Sequence, residues 1–498
     1  MSDYSQKLFG GSTLAFAGFV VAAILSYVLR IVLARFLSVE EVGLFFSVLS
    51  FIIFITLFQK IGTELSLVRY INVWREKGEF SKIKLAFYST FVFQILIGIL
   101  YIFLIFILSD LLSTRYFHDP VAKPTLLLLS TLLILLIFED LPRRLFQGFN
   151  DMFWFSVMEA GKALLLLVFV VIGLLYTHTV LVPVASFLAA TTIISLLGIY
   201  LSFWKYSFLR KKLVRHPGLF KEVFGFGLPL IFFVIGNKVI DSIDLLVLTY
   251  FRSLAEVGVY SIVLPTAGLC LFFYRPIAVV LIPLGAELWE RSQKAKLQEL
   301  FQRVYHYLFV LVMPIVILFF IHGSFILSFL FGPAYAEGIT ALRLILLGVF
   351  FFGLAHINIS VLIGIGNSKK SGKVMLYGAL INFIMNVLLI PFWGMVGAGI
   401  ATLVSYLFCY VLSLVYVKKE ISLLSLRLSW FRLAFTAVLF TLVAVLLRLA
   451  IPFQNQLKGI LVSTILSVLC YIILITTFKL FTLKEAKEMF GMILSRKK

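Results

Sequence analysis

One apolar stretch, residues 224–260, carries three charged side chains near the middle of what reads as a membrane-spanning helix: Lys238, Asp241 and Asp244. A charge at the centre of a bilayer costs about 2.5 to 3.5 kcal/mol on insertion scales, so these side chains must face protein or water. Their spacing places Asp241 and Asp244 on one stripe with Asn237, and Lys238 can reach Asp241. The cluster could couple to H+ or Na+, gate a passage, bind an anion through Lys238, or tie the helix to its neighbours.

Two further basic residues lie inside apolar runs with no acidic residue close to them in the sequence. Arg30 lies roughly 9 Å below the outer end of the first run, at 1.5 Å per residue, and Arg275 lies inside a later run. Intramembrane cations of this kind are candidates for binding an anionic group. We therefore expect Arg30, Lys238 and Arg275 to contact a substrate anion. Asp241 and Asp244 are then the candidates for ion coupling or gating.

Other polar residues of the apolar runs have structural explanations. Lys162 is predicted to pair with Glu159, three residues before it on the same helix face. Arg343 can extend its charge toward the outer interface. Asn382 and Asn386 share a helix face, and buried amides join helices more often than they bind ligands.

The composition identifies an integral membrane protein. Hydrophobic residues make up 62% and charged residues 13% of the 498 residues, with a mean hydropathy of +1.10, against roughly 45 to 50% and 25% in soluble domains. The apolar runs are continuous rather than alternating, which indicates helices. Basic loops at the membrane surface explain the formal charge of +20 more simply than nucleic-acid binding does.

No pattern of residues indicates catalysis, a cofactor or a metal site. The three cysteines lie inside apolar runs without metal-ligand spacing, and the six histidines are scattered. The loop GNSKKSGKV, which begins at Gly366, differs from a phosphate-binding P-loop in its glycine spacing and in Val374 after the lysine. The external loops are too short for a catalytic domain, so we expect a protein that is not an enzyme and has no ATPase.

About fourteen runs are long enough to cross a bilayer core, which takes roughly 20 helical residues. Alternate loops differ sharply in Lys and Arg content, which places both termini in the cytoplasm of a multi-pass cell-membrane protein. The predicted spans lie near 12–36, 42–62, 83–109, 123–141, 152–176, 179–204, 222–250, 256–282, 301–330, 338–364, 374–392, 395–416, 430–450 and 459–478.

The sequence contains an internal repeat, and its second copy begins after the sixth span. A shift of 215 positions aligns SVEEVGLF, from Ser38, with SLAEVGVY, from Ser253, and a shift of 217 relates the fifth span to the eleventh. A repeat of six spans is even, so both copies cross the membrane in the same direction. The predicted fold is all-α, with two parallel six-helix repeats forming two lobes around a central cavity, plus two C-terminal helices.

Four regions follow from the repeat. Residues 1–215 form the first lobe, 216–420 the second lobe, and 421–478 the last two spans. Residues 479–498 alternate apolar and charged side chains and end in Arg496, Lys497 and Lys498. We expect this tail to be an amphipathic helix that binds anionic lipids of the inner leaflet.

Three segments resemble the polysaccharide transporter family: LARFLSVEEVGLF from Leu33, FGPAYAEGITALRLILLG from Phe331 and NVLLIPFWGMVGAGIATLVSYL from Asn386. The resemblance extends over nearly the whole chain in span number and motif order. Its superfamily also contains multidrug and toxic-compound extruders and lipid II flippases. A count of fourteen spans favours the polysaccharide branch over the drug extruders, which typically have fewer.

The resemblance implies a flippase that moves a prenyl-(di)phosphate-linked oligosaccharide from the inner to the outer leaflet of the cytoplasmic membrane. Alternating access of the two lobes, with the headgroup in a cationic central cavity, is the implied mechanism. H+ or Na+ is a possible coupling ion, and we expect a monomer without nucleic-acid partners or cofactors. The alternative is an ion-coupled exporter of small amphipathic drugs or toxins, which loss of efflux in Asp241→Asn would favour.

Overall fold

The computed structural model describes residues 3–421, 428–450, 456–478 and 480. Within these ranges the chain is helical and contains no strand. The α-helices are α1 (Asp3–Phe36), α2 (Val39–Lys60), α3 (Thr63–Glu76), α4 (Phe80–Leu111), α5 (Ala122–Ser130), α6 (Leu132–Gly148), α7 (Met152–Leu174), α8 (Leu181–Lys205), α9 (Leu219–Phe251), α10 (Leu254–Gly268), α11 (Arg275–Glu290), α12 (Lys294–Leu330), α13 (Ile339–Gly364), α14 (Ser368–Glu420), α15 (Leu428–Ala450) and α16 (Gln456–Thr477).

The described helices agree with the predicted fold class and its fourteen spans. Twelve of them are long and apolar enough to cross a membrane when consecutive short helices are taken together. The helix α14 contains two predicted spans, because its backbone leaves the helical conformation at Gly394, where φ is 52°. The helix α9 carries the seventh predicted span. The all-helical membrane architecture read from composition is therefore confirmed.

Local sequence signals explain where the second span starts. Ser38 precedes α2 and accepts a hydrogen bond on Oγ from the backbone N–H of Glu41, at 3.2 Å. The Glu41 carboxylate in turn accepts the backbone N–H of Ser38, at 3.1 Å. These two bonds satisfy backbone donors that the first helical turn leaves open.

The contacts divide the chain into two compact units. The first contains Met1–Ile262, Leu330–Ala334 and Asn382–Ala398, and the second contains Val263–Phe329, Tyr335–Ile381 and Gly399–Lys498. In the first unit, α7 packs against α1 and α8. In the second, α11 packs against α13 and α15 against α16. The lobe boundaries predicted at 215 and 420 stay a prediction, and the predicted tail at 479–498 lies outside the described residues apart from Leu480.

A buried network of charges links α2, α3 and α6 in the first unit. The Asp140 carboxylate on α6 pairs with both Lys60 at the end of α2 and Arg143 one turn further along α6. Glu64 pairs with Lys60 at 2.6 Å and with Arg144 at 2.7 Å. Burial by itself would raise the pKa of Glu64, but the charges of Lys60 and Arg144 lower it overall. Opposite charges thus neutralise one another inside the first unit.

The predicted pair of Lys162 with Glu159 is wrong. Lys162 instead pairs with Glu139 at 2.6 Å, and Glu159 pairs with Arg143. Both partners lie on α6, which packs against α7 and brings its own charges opposite those of α7. A neighbouring helix therefore supplies the partners that sequence spacing assigned to the same helix.

We expect Asp140→Asn to destabilise the protein strongly. The substitution removes the carboxylate that Lys60 and Arg143 share, while each cation keeps one other partner, Glu64 or Glu159. Breaking a buried ion pair costs about 3 to 5 kcal/mol when the remaining charge is left unpaired, and we expect a loss near the lower end of that range. The measurement is the thermal unfolding midpoint of the purified protein. Asp110→Asn is the control, because the pair between Asp110 and Lys123 is exposed and worth about 0 to 1 kcal/mol. Equal midpoints for the two variants would contradict the expectation.

Candidate substrate and ion-coupling residues

The second helices of the two repeats, α2 and α10, meet in the first unit through a pair of glycines. A β-carbon at Gly43 would overlap the carbonyl oxygen of Leu254, and one at Gly258 would overlap that of Val39. Each residue is related to its counterpart by the 215-residue repeat, so the contact is symmetric. Only glycine allows the two backbones to approach so closely. The repeats are therefore in backbone contact at the end predicted to face outward.

The same repeat appears in a second pair of contacts. Glu41 accepts the backbone N–H of Val180 at 3.2 Å, and Glu256 accepts that of Met395 at 2.6 Å. Both bonds lie at the start of the last span of their repeat, and both partners are related by a shift of 215. Met395 directly follows Gly394, where α14 bends. Equivalent hydrogen bonds in the two copies thus support the predicted internal repeat, in addition to the sequence similarity.

Arg30 lies where the two repeats meet. Its Nη1 donates a hydrogen bond to the carbonyl oxygen of Ser261 at 2.8 Å, and its guanidinium lies 4.2 Å from the centre of the Phe46 ring. Ser261 and Phe46 occupy equivalent positions of the two repeats. Among the described residues, Arg30 forms no ion pair. A guanidinium has five N–H donors, so most of its capacity to bind an anion remains.

Asp244 is buried, with 1% of its surface exposed. The Tyr260 hydroxyl donates to one carboxylate oxygen at 2.7 Å, and the Asn386 side-chain amide donates to the other at 2.5 Å. The same amide group also reaches Oδ1 of Asn382 at 3.2 Å. Asn386 therefore joins α14 to α9, as expected for a buried amide. Three helices, α9, α10 and α14, contribute to this Asp244 cluster.

The Asp244 cluster belongs to one repeat only. The positions equivalent to Asp244 and Tyr260 are Leu29 and Phe45, which are buried and apolar. Tyr260 was missed in the sequence, although applying the 215-residue shift to the whole second span would have revealed a Tyr in place of a Phe. The buried polar pair of Asp244 and Tyr260 is therefore a feature of the second repeat alone.

Lys238 and Asp241 are less fully defined. Lys238 is half-buried on α9. The side chains of Asn237 and Asp241 lie outside the described residues, although their backbone is part of the helix. The predicted pairing of Lys238 with Asp241 therefore stays a prediction, as do the roles assigned to both.

Arg275 lies in the second unit, at the start of α11. A 3-10 segment, Leu269–Phe273, interrupts the eighth predicted span just before it. The Arg275 side chain is exposed, and it forms no hydrogen bond or ion pair with any residue that the structure describes. Its position at a helix N-terminus adds the positive end of the helix dipole. Positive charge therefore accumulates here without a partner in the described part of the chain.

The first repeat offers a direct comparison for Arg275, because the equivalent position there is Lys60. Lys60 is neutralised by Glu64 and Asp140. The residue equivalent to Glu64 is Val279. Asp140 falls on Ala355 with a shift of 215 and on Ile357 with a shift of 217. Both repeats thus keep the cation, and only the first keeps the carboxylates.

Two helical repeats that span the bilayer and carry buried charge define a multi-pass membrane protein. A solved structure titled lipid II flippase MurJ, inward closed conformation, superposes with a TM-score of 0.75 at 14% identity, covering 94% of this chain and 98% of that one. A multidrug resistance MATE family transporter of the MOP superfamily, in an inward-facing conformation, gives 0.68 at 15% identity, covering 82% and 98%.

The family model described as polysaccharide biosynthesis protein matches residues 10–289, and the chain belongs to this family. An uncharacterized membrane protein of Methanocaldococcus jannaschii is 25% identical over 508 residues, covering 99% of this chain and all of that one. Capsular polysaccharide biosynthesis protein CapF of Staphylococcus aureus is 25% identical over 202 residues, 41% of this chain and 51% of the relative. The resemblance inferred from the three sequence segments is confirmed.

Proposed function

We propose that this protein translocates a prenyl-(di)phosphate-linked oligosaccharide from the inner to the outer leaflet of the cytoplasmic membrane. The observation that carries the proposal is the pair of cations without acidic partners among the described residues, Arg30 and Arg275, in a chain of the polysaccharide biosynthesis family. The likeness to a lipid II flippase and the CapF relative support a lipid-linked substrate. Lys238 is proposed as a third substrate contact.

The chemistry of such a substrate matches these residues. Its prenyl tail can stay in the bilayer, whereas its phosphate and sugars cannot enter hydrocarbon without losing their hydration. Guanidinium groups bind phosphate oxygens with paired, charge-assisted hydrogen bonds. Arg30 and Arg275 would therefore replace part of the hydration of the headgroup during its passage. The tail needs no protein site for the crossing itself.

The Asp244 cluster is the proposed ion-coupling site. It places a carboxylate beside the Asn386 amide, whose Oδ1 accepts no hydrogen bond from any described residue, and close to Oδ1 of Asn382. Oxygen atoms of carboxylates and amides are the ligands that hard cations such as Na+ prefer. A buried carboxylate can equally take up a proton. Asp241, on the same stripe of α9, is the second proposed coupling residue.

The glycine contact between α2 and α10 supports alternating access as the mechanism. It holds the two repeats together at the end predicted to face outward, so passage to that side requires Gly43 and Gly258 to separate from their partners. Parallel repeats that rock against each other are the usual basis of such a cycle. We further propose cytoplasmic termini, a monomeric protein, a tail that binds anionic lipids, and no enzymatic activity.

Reconstitution tests the proposal directly. Proteoliposomes that contain a fluorescent prenyl diphosphate-linked oligosaccharide are expected to expose the inner-leaflet sugar to an external quencher only when the protein is present. A fluorescent amphipathic cation serves as the second substrate in the same vesicles. Transport of the cation without movement of the oligosaccharide would replace the flippase by an ion-coupled drug exporter.

A further inference from the structure

Two arginines of the second unit donate hydrogen bonds to the same turn of α12. Arg343, one turn into α13, donates from Nε to the carbonyl oxygen of Phe320 at 3.1 Å. Arg448, close to the end of α15, donates from Nη1 to the carbonyl oxygen of the next residue, Ile321. The Arg343 guanidinium also lies 5.1 Å from the centre of the Phe320 ring. Two positive charges thus converge on adjacent peptide groups.

These charges are not neutralised by the part of the chain that the structure describes. Neither Arg343 nor Arg448 forms an ion pair there, and both contact neutral carbonyl oxygens that the helix already uses. The first unit shows the opposite arrangement, because Lys60 and Arg143 each have carboxylate partners. Each guanidinium has five N–H donors, so most donors of Arg343 and Arg448 remain available.

His322 follows Ile321 on the same turn of α12. Only 3% of its surface is exposed, and neither ring nitrogen has a hydrogen-bond partner among the described residues. Arg448 donates its hydrogen bond to Ile321, the residue directly before His322. A buried imidazole is stabilised when its N–H donates to an acceptor. An anion between these groups would supply that acceptor and neutralise the arginines.

The position of these residues favours an anion that belongs to a lipid. Arg448 is flanked by Leu446 and Leu449, which are 62% and 73% exposed and so face the surroundings of the protein. Arg343 and Arg448 both lie near helix ends that the sequence places at the outer face. Lipid phosphate groups lie at this depth, just beyond the hydrocarbon core. A lipid could therefore reach the site from the side.

We propose that Arg343, Arg448 and His322 form a phosphate-binding site on the second unit, separate from the residues assigned to translocation. The phosphate can be carried by a membrane phospholipid or be free in solution, and the same three side chains would bind either. The site does not depend on the proposed flippase function, since it involves neither Arg30 nor Arg275.

Photo-crosslinking of the full-length protein tests the site. A photoactivatable phosphatidylglycerol is added to the purified protein, and the labelled peptides of α12 and α15 are quantified by mass spectrometry. Arg343→Gln with Arg448→Gln is expected to lower this labelling about a hundredfold or more, because each lost charge-assisted bond weakens binding about tenfold or more. His322→Leu is expected to lower it less. Arg115→Gln removes another exposed arginine from the outer side and is expected to leave the labelling unchanged.

Two further arms identify the source of the phosphate. A photoactivatable diacylglycerol, which has no phosphate, is expected to label these peptides weakly in every variant. Inorganic phosphate that binds the unmodified protein but not the double variant, together with lipid labelling that is the same in both proteins, would confirm the anion site and assign it to free phosphate. Unchanged lipid labelling and unchanged phosphate binding in a double variant with a normal unfolding midpoint would overturn the proposal.

Discussion

Replacing Arg275 by glutamine is expected to lower the rate of headgroup translocation about tenfold or more while leaving the unfolding midpoint nearly unchanged. One charge-assisted hydrogen bond to a phosphate contributes about 1.5 to 3 kcal/mol, and every 1.4 kcal/mol corresponds to a factor of ten. Stability should not change, because the side chain is exposed and has no ion pair or hydrogen bond within the described residues. The measurement is the initial rate of oligosaccharide exposure in proteoliposomes.

Arg291 offers a matched control for this variant. It follows the same helix, is exposed, and pairs with Glu287 at 2.9 Å, so Arg291→Gln removes the same charge without touching the proposed site. Arg275→Lys should restore part of the rate, because it keeps the charge but not the paired geometry. Arg30→Gln is expected to slow translocation as well. Normal rates in both Arg275→Gln and Arg30→Gln would eliminate the proposed substrate contacts.

Much of the fold could be predicted because the bilayer restricts the possible structures. Apolar runs of about 20 residues define spanning helices regardless of their detailed packing. The echo of SVEEVGLF in SLAEVGVY defined the repeat, and the matching bonds of Glu41 and Glu256 confirm it. The kink at Gly394 was not predicted as such. It lies within the most specific family motif, where predicted spans eleven and twelve meet.

Side-chain partners could not be predicted, because they depend on which helices are neighbours. Spacing along α7 suggested that Lys162 pairs with Glu159, but α6 supplies both partners. In the same way, Arg275 and Lys60 look alike as basic residues in apolar runs. Lys60 differs in having Glu64 four residues further along the sequence, and the contact with Asp140 on α6 is visible only in the structure. Knowledge of the three-dimensional pairing thus separates a structural cation from a candidate binding residue.

The two repeats differ in their buried polar residues and in the partners of their cations. The first repeat has the buried apolar residues Leu29 and Phe45 at the positions of Asp244 and Tyr260. The second repeat lacks carboxylates at the positions equivalent to Glu64 and Asp140. The proposed ion site and Arg275, which has no acidic partner among the described residues, therefore both lie in the second copy. The two changes together would allow ion binding and substrate binding to be linked within one repeat.

Replacing Asp244 by asparagine is expected to remove the dependence of translocation on an ion gradient. Asparagine has nearly the same shape and keeps one oxygen for the Tyr260 hydroxyl, but it has no charge with which to hold Na+ or to take up a proton. The ratio of rates with and without an imposed gradient should therefore fall from several-fold toward one, on the scale of a lost charged interaction of about 1 to 2 kcal/mol. Separate Na+ and pH gradients identify the ion in the unmodified protein.

Two comparisons decide the meaning of that result. Asp110→Asn removes a carboxylate that is 77% exposed and should retain the full gradient dependence, which excludes a general effect of charge. Asp241→Asn tests the neighbouring aspartate. Loss of gradient dependence in Asp241→Asn but not in Asp244→Asn would assign ion coupling to Asp241. Gradient-stimulated translocation that persists in Asp244→Asn would show that this buried carboxylate only joins α9, α10 and α14. A rate that responds to neither gradient in the unmodified protein would remove ion coupling from the mechanism and leave the substrate gradient as its driving force.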